Sequence, residues 1–187
     1  ALLVNSTSID LLTKGNYSHY EFLCAVESFF VKAAHAMFMG WSNLNFDRRM
    51  FHFNFFKGNR YPYLTHSSPN QEHDGLHVAR AVQTIDSKTL KTELTEAGNE
   101  SLALEGLARQ QGFDTSAAHT AYVDAHNSLK ILRIIKDKHK PNWEKFLGTS
   151  TKSSVESILK GEGIYSIFEN VKGRNMMYLV CTLHPTY

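Results

Sequence analysis

The chain has 187 residues, 42% of them hydrophobic and 20% charged, with a formal net charge of +2 and a pI near 8.5. Such ordinary globular composition excludes a disordered or fibrous protein and is enough for one full-sized core and a little more. The mildly basic balance permits nucleic-acid binding, which needs only a local cluster of Lys and Arg, without calling for it.

No apolar run approaches the ~20 residues that span a bilayer, and the start at Ala1 lacks the charged and apolar regions of a secretion signal. The expectation is therefore a cytoplasmic protein, with Cys24 and Cys181 as reduced packing residues rather than a disulfide. Because the chain opens on Ala rather than Met, a trimmed or incompletely represented N-terminus is expected.

In chain order, residues 1–15 are mixed and loop-like. Residues 20–34 carry Phe22, Cys24, Ala25, Phe29, Phe30 and Ala33 at helical spacing, which predicts a helix buried along that stripe. The short run AMFMGW at 36–41 predicts a strand covered on both faces. GWSNLNFD at 40–47 then leads through a polar loop into a helix rich in Phe. Asp47 lies past a strand end at a helix start, where open α/β sheets place functional groups. Helix capping is the alternative role for that aspartate.

Residues 57–71 are predicted as a surface loop, 73–85 as a short strand or turn followed by a helix through Arg80, and 86–99 as a polar surface excursion. A compact helix is expected over 101–111. Residues 118–138 follow as an amphipathic helix with Tyr122, Leu129, Leu132 and Ile135 recurring beside Val123. His119 and Asp124 are five residues apart, about 140° around a helix. They can serve one site only if His119 stands at the helix entry. The charge run 136–140 is either a solvated face or a patch that tracks phosphates, and Pro141 is expected to end the helix. Short helical pieces at 143–147 and 153–159 precede two β-rich runs, 163–169 and 176–183, joined by a hairpin turn at 172–175. A lone hairpin is marginal, so a second, all-β unit is expected to begin there.

One reading of the acidic and histidine residues is a histidine-aspartate metal phosphohydrolase built on His73 and Asp74, with His35 and His52 upstream and Asp124 as the last ligand. Such enzymes are all-helical, in conflict with the strands expected at 36 and 163. No Gly-rich phosphate loop, paired cysteines or nucleophile elbow is present.

A different match runs along the whole chain. GWSNLNFD resembles the second motif of the DEDDh 3′–5′ exonucleases, and AHTAYVDAHNSLKIL resembles their third, His, four residues, Asp. ALEGLARQQGFDTSAAHTAYVD, GNRYPYL, HDGLHVARA and GIYSIFENVKGRNMMYLVCTLHP are similar to flanking stretches of the exodeoxyribonuclease I type. The resemblance implies an α/β, ribonuclease H-like exonuclease domain, N-terminally incomplete, over 1–140. It further implies a helical linker over 141–162 and the start of an SH3-like β domain over 163–187. Its activity would be hydrolysis of single-stranded DNA from the 3′ end with two Mg²⁺ ions, or Mn²⁺ in their place.

By the same match Asp47 and Asp124 would be metal ligands and His119 the general base. Asn43 would position the terminal nucleotide, and Trp41 and Phe46 would stack on it, with core packing as the alternative for both aromatics. Arg48, Arg49, Lys57 and Arg60 are candidates for a basic groove. Single-stranded DNA and single-strand DNA-binding protein are the implied partners of a monomeric enzyme. The family's first motif, an Asp-x-Glu on an apolar strand, is not found near Ala1. The expectation is thus a fragment with a half-built metal site, impaired in catalysis; a non-catalytic nucleic-acid-binding or structural domain is the other outcome.

Overall fold

In the computed structural model, the described residues are 10, 13–15, 17–116, 120–161 and 163–182. They form an α/β fold. Helix α1, His19–Lys32, starts at a capping box. The Ser18 side chain accepts the Glu21 N–H, and the Ser18 N–H donates to the Glu21 carboxylate at 2.7 Å. Its inward side is Leu23 and Phe30, seven residues apart; of the stripe expected, Phe30 is buried, whereas Phe22 and Phe29 are 56% and 64% exposed. The helix is covered along one narrow line only, where Phe30 meets Phe38 and Phe51 edge-on at 5.0 and 5.3 Å.

Strand β1, Met37–Gly40, leads into α2, Asp47–Lys57, and the chain returns through a loop to β2, Gln71–Asp74. The two strands pair in parallel, Met37 opposite Gln71 and Gly40 opposite Asp74. β1 is half-buried along its length rather than covered on both faces. At the end of α2, Gly58 lets Leu23 pack close, because a Cβ there would stand 2.6 Å from Leu23 Cδ1 and the leucine would have to shift.

Helix α3, Gly75–Ile85, runs a turn beyond the expected stop at Arg80, and Val78, Ala79, Ala81 and Val82 are 0–2% exposed. Gly75 lets its first turn close on the sheet: a Cβ would lie 2.9 Å from the Gly40 carbonyl and 3.2 Å from Leu132. The segment after α3 is no loose excursion. The buried Gln83 side chain accepts the Leu90 N–H and donates to the Ser87 carbonyl, which pulls Leu90 into the core. A small antiparallel pair, β3 (Glu93–Leu94) with β4 (Glu100–Ser101), follows.

Helices α4, Leu104–Gln110, and α5, Ala121–Lys138, complete the core, in which Leu107, Ile131 and Ile135 are fully enclosed. The buried side of α5 is Asn127, Ser128, Ile131, Leu132 and Ile135. Tyr122 and Leu129, expected in the apolar stripe, are 78% and 45% exposed. Pro141 does not merely end α5. It stands in the first turn of α6, Lys140–Leu147, where its missing N–H costs nothing.

After α7, Lys152–Gly161, strands β5 (Tyr165–Val171) and β6 (Arg174–Val180) form an antiparallel hairpin packed against α3. Its turn is shorter than expected, Lys172 and Gly173 alone. Both have positive φ, 50° and 82°, as the tight two-residue turn requires. Cys24 and Cys181 are free thiols. Among the described residues no helix is long and apolar enough to cross a membrane.

Candidate active-site cleft

The loop from Gly40 to Asp47 is shaped from behind by two acidic side chains of β2. Asp74 is fully buried. Its carboxylate accepts the backbone N–H groups of Ser42 at 2.9 Å, Leu44 at 3.2 Å and Leu76 at 2.9 Å. It therefore holds the loop and caps α3 at once. Ser42 sits at φ 62°, the left-handed conformation that turns the chain out of β1.

Glu72, two residues earlier and on the same side of β2, accepts from Asn43 Nδ2 at 2.9 Å, Arg48 Nε at 2.9 Å and Thr65 Oγ1 at 3.2 Å. Asn43 in turn accepts the Gly40 N–H on its Oδ1 at 3.1 Å. Gly40 must lack a side chain, since a Cβ would fall 2.8 Å from Asn43 Cβ. Buried polar groups need partners, and this network supplies them for a loop that would otherwise be costly to bury.

In front of the loop lies a cleft of about 900 Å³. β1 and the 40–47 loop form one wall and α5 the other. Trp41, Asn43, Phe46, Asp47 and Asp124 all line it. Five of the six site residues expected from sequence thus meet in one cavity, though they come from segments far apart in the chain. The sixth, His119, lies outside the described residues.

The five differ in what they offer. Phe46 is 66% exposed. Trp41 is fixed by its indole N–H, which donates to the Leu102 carbonyl at 3.0 Å, and it packs on the core while one part lines the cleft. Asn43 is buried, with both ends of its amide engaged in the network.

Asp47 is the first residue of α2, whose N-cap, Phe46, makes no side-chain capping bond. Although the residue keeps much of its surface, partial desolvation of its carboxyl pushes the pKa above the ordinary aspartate value. A hydrogen bond to its own backbone opposes this, and the negative charges of Asp74 and Glu72 add to it.

Hard oxygen donors such as Asp47 and Asp124 suit Mg²⁺. One octahedral Mg²⁺ is commonly held by one or two carboxylates with water and substrate oxygens completing its shell, so the two suit one ion and fall short for a pair. Among the described residues no group of three or more His, Cys, Asp or Glu side chains is placed to hold a metal. The fit is partial.

Of the basic candidates, Arg48 is committed to Glu72. Arg60 is committed to Glu27, to Tyr20 Oη at 2.7 Å and to Cys24 Sγ at 2.8 Å. Arg49 and Lys57 remain exposed. The pair read as a phosphohydrolase motif is also occupied. His73 Nδ1 accepts the Asp74 N–H at 2.9 Å and Nε2 meets Thr149 Oγ1 at 3.2 Å, while Asp74 serves three backbone amides. Burial pushes the His73 pKa down, which favours the neutral ring.

Glu72 is the residue that sequence reasoning missed, and Asp74 was placed in the wrong role. The signal was present as the alternation Gln71-Glu72-His73-Asp74, in which the two carboxylates share a strand face. It is visible only once 71–74 is recognised as a strand beside β1.

No protein-family model matches the chain. Exodeoxyribonuclease I of Haemophilus influenzae is 23% identical over 122 residues, covering 65% of this chain and 26% of its own. That of Buchnera aphidicola subsp. Baizongia pistaciae is 23% identical over 195 aligned positions, covering 99% of this chain and 40% of its own. The chain therefore spans less than half the length of either relative.

Among solved structures, Escherichia coli exonuclease I in complex with a dA16 oligonucleotide superposes with a TM-score of 0.84 at 16% identity, over 100% of this chain and 41% of that one. A complex of exonuclease I with SSB-Ct gives 0.81 at 16% identity over the same shares. The enzyme of Methylocaldum szegediense gives 0.79 at 15% identity, over 91% and 36%. At these identities the superpositions bear on the fold. With sequence similarity over 99% of its length and a common fold over all of it, the chain is a distant homologue of exonuclease I.

Proposed function

We propose that the cleft binds the 3′ end of single-stranded DNA and belongs to a 3′–5′ exonuclease site of the exodeoxyribonuclease I type on a ribonuclease H-like domain. One observation carries the reading: Asp47 and Asp124, from the two motif-bearing segments, line one cavity together with Trp41, Asn43 and Phe46. In this reading Asp47 and Asp124 are metal ligands on opposite walls. Divalent ions bound there would supply activation of water and charge stabilisation at the phosphodiester.

Phe46, the most exposed aromatic of the cleft's loop, stacks on the terminal base. Trp41 forms the floor. Asn43 fixes the height of the loop through Gly40 and Glu72, and so positions the nucleotide contacts. His119 takes the proton from the attacking water, a general-base role open to an imidazole. The same reading divides the chain into an exonuclease domain over 1–140, a linker over 141–162 and the start of an SH3-like unit over 163–187. It gives the protein a cytoplasmic setting, with the C-terminal tail of single-strand DNA-binding protein as a partner, as in the exonuclease I complex with SSB-Ct.

With Asp47 and Asp124 as the metal carboxylates and the third acidic residue of the cleft, Glu72, committed to Arg48, the 187-residue chain is expected to bind single-stranded DNA and to hydrolyse it slowly. The test is nucleotide release from 5′-labelled single-stranded DNA with Mg²⁺ or Mn²⁺, alongside calorimetry with Mn²⁺. Residual release and Mn²⁺ heat that both vanish in Asp124→Asn, at unchanged Tm, support the site. Release indifferent to Asp47→Asn and Asp124→Asn removes it. Rapid stepwise degradation by the chain would sink the expectation of impaired catalysis.

A non-catalytic single-strand-binding role is the second reading. It is favoured by the absence, among the described residues, of any three-donor metal cluster. That role predicts affinity for DNA with no Mn²⁺ heat.

A further inference from the structure

Helix α5 lines the cleft along its length: Asp124 near its start, then Ser128, Leu132 and Arg133, then Lys136. Ser128, Leu132 and Lys136 follow at steps of four, whereas Arg133, nine residues from Asp124, lies about 180° round the helix from it, so the cleft runs both along and around α5. At 1.5 Å per residue, Arg133 stands about 14 Å and Lys136 about 18 Å along the axis from Asp124. Both are exposed, and neither is in an ion pair or hydrogen bond among the described residues.

That freedom sets them apart. Arg48 and Arg60 are tied to buried or half-buried carboxylates. The charge run that begins at Lys136 splits after its first member: Lys138 donates to the Thr89 carbonyl at 2.8 Å, and His139 faces Asp86 at 3.6 Å, away from the cleft. The cleft is therefore polarised, with carboxylates at one end and two unpaired cations at the other. Trp143 lines it as well.

We propose that Arg133 and Lys136 are a phosphate track for single-stranded DNA. The 3′ end lies between Asp47 and Asp124, and the strand leaves along α5 towards Trp143. This rests on the reading of the cleft as a single-strand DNA site. Since the acidic end repels phosphate when no cation is bound, the track predicts binding that persists without metal.

The test is fluorescence anisotropy of a labelled dT12 with the 187-residue chain in EDTA, across a KCl series. Each phosphate contact on a single strand contributes about 0.7 to the slope of log K against log salt. The double variant Arg133→Ala/Lys136→Ala should lower that slope by about 1.4. The charge-keeping pair Arg133→Lys/Lys136→Arg should retain it. Lys160→Ala/Arg174→Ala, which removes the same charge from exposed positions outside the cleft, should leave it unchanged.

A slope that falls as far in the Lys160/Arg174 variant, or not at all in the Arg133/Lys136 variant, overturns the track while leaving the cleft's function standing. Absence of any binding by the wild-type chain overturns both. Thermal unfolding of each variant confirms that the comparison is between folded proteins.

Discussion

Asp74 accepts the Ser42 backbone N–H at 2.9 Å across the parallel strand pair, so a carboxylate that never reaches solvent decides where the cleft's loop stands. Replacing it by Ala strands three backbone donors, each costing roughly 1–3 kcal/mol when buried and unpaired. Part of that returns through water. Asp74→Ala is expected to lose about 3–5 kcal/mol in urea unfolding, and Asp74→Asn less. A midpoint within error of the wild type would refute the clamp.

The neighbouring pair, Arg48 and Glu72, is asymmetric: the arginine side chain keeps 31% of its surface and the glutamate 4%. Removing the arginine leaves the buried partner with the hydrogen bonds from Asn43 and Thr65 and with His66 Nδ1 at 3.6 Å. Arg48→Met is expected to cost about 2–4 kcal/mol, near the range for breaking a buried ion pair. Glu72→Gln in the same background should restore part of it, read as a coupling energy in a double-mutant cycle. Simple additivity would show that the pair is not acting as a unit.

Asp47 should trade stability for function. Its pKa is raised, so the ionised form is disfavoured in the folded protein, and at pH 7 that penalty is present in full. Asp47→Asn is expected to raise the Tm at pH 7 and to leave it nearly unchanged at pH 3, while weakening Mn²⁺ binding. A lowered Tm at pH 7 would contradict the assignment of a strained carboxylate.

Three histidines make the fold acid-sensitive. Burial lowers the pKa of His52, His66 and His73, with Arg48 adding to the effect for the first two. For a base depressed on folding, the unfolded chain protonates first. Stability is therefore full above about pH 6.5 and declines as pH falls towards the lowered folded values. The Tm should drop between pH 7.5 and 5, and His52→Gln/His66→Gln should flatten that slope. An equal slope in the variant would place the sensitivity elsewhere.

Gly75→Ala tests the close approach of α3 to β1. The added Cβ would meet the Gly40 carbonyl, which is backbone and cannot swing away. A loss of about 1–3 kcal/mol is expected from the overpacking, whereas Gly161→Ala, with open space around it, should be nearly silent.

Local patterns in the sequence carried the helices well, because apolar periodicity is written in neighbouring residues. The motif segments likewise placed Asp47 and Asp124, which the fold brings to one cleft. What was hidden was pairwise. Leu90 reads as part of a polar stretch because its burial depends on Gln83, and β2 is a four-residue acidic strand with no apolar alternation of its own. Phe22 and Phe29 mislead for the opposite reason, since an apolar side chain does not announce whether anything covers it. Arg48 and Arg60 read as free cations until their carboxylate partners are found across the fold.

β1 has one hydrogen-bonded neighbour among the described residues, β2, and its other side opens into the cleft. In a strand paired on one side, alternate peptide groups turn outward. Deuterium should therefore enter β1 as an alternating pattern, with slow amides facing β2 and fast ones facing the cavity. The Gly40 amide departs from any simple alternation, because Asn43 holds it from the loop side. DNA laid against that edge would be visible residue by residue as the fast set slowing, without any label on the nucleic acid.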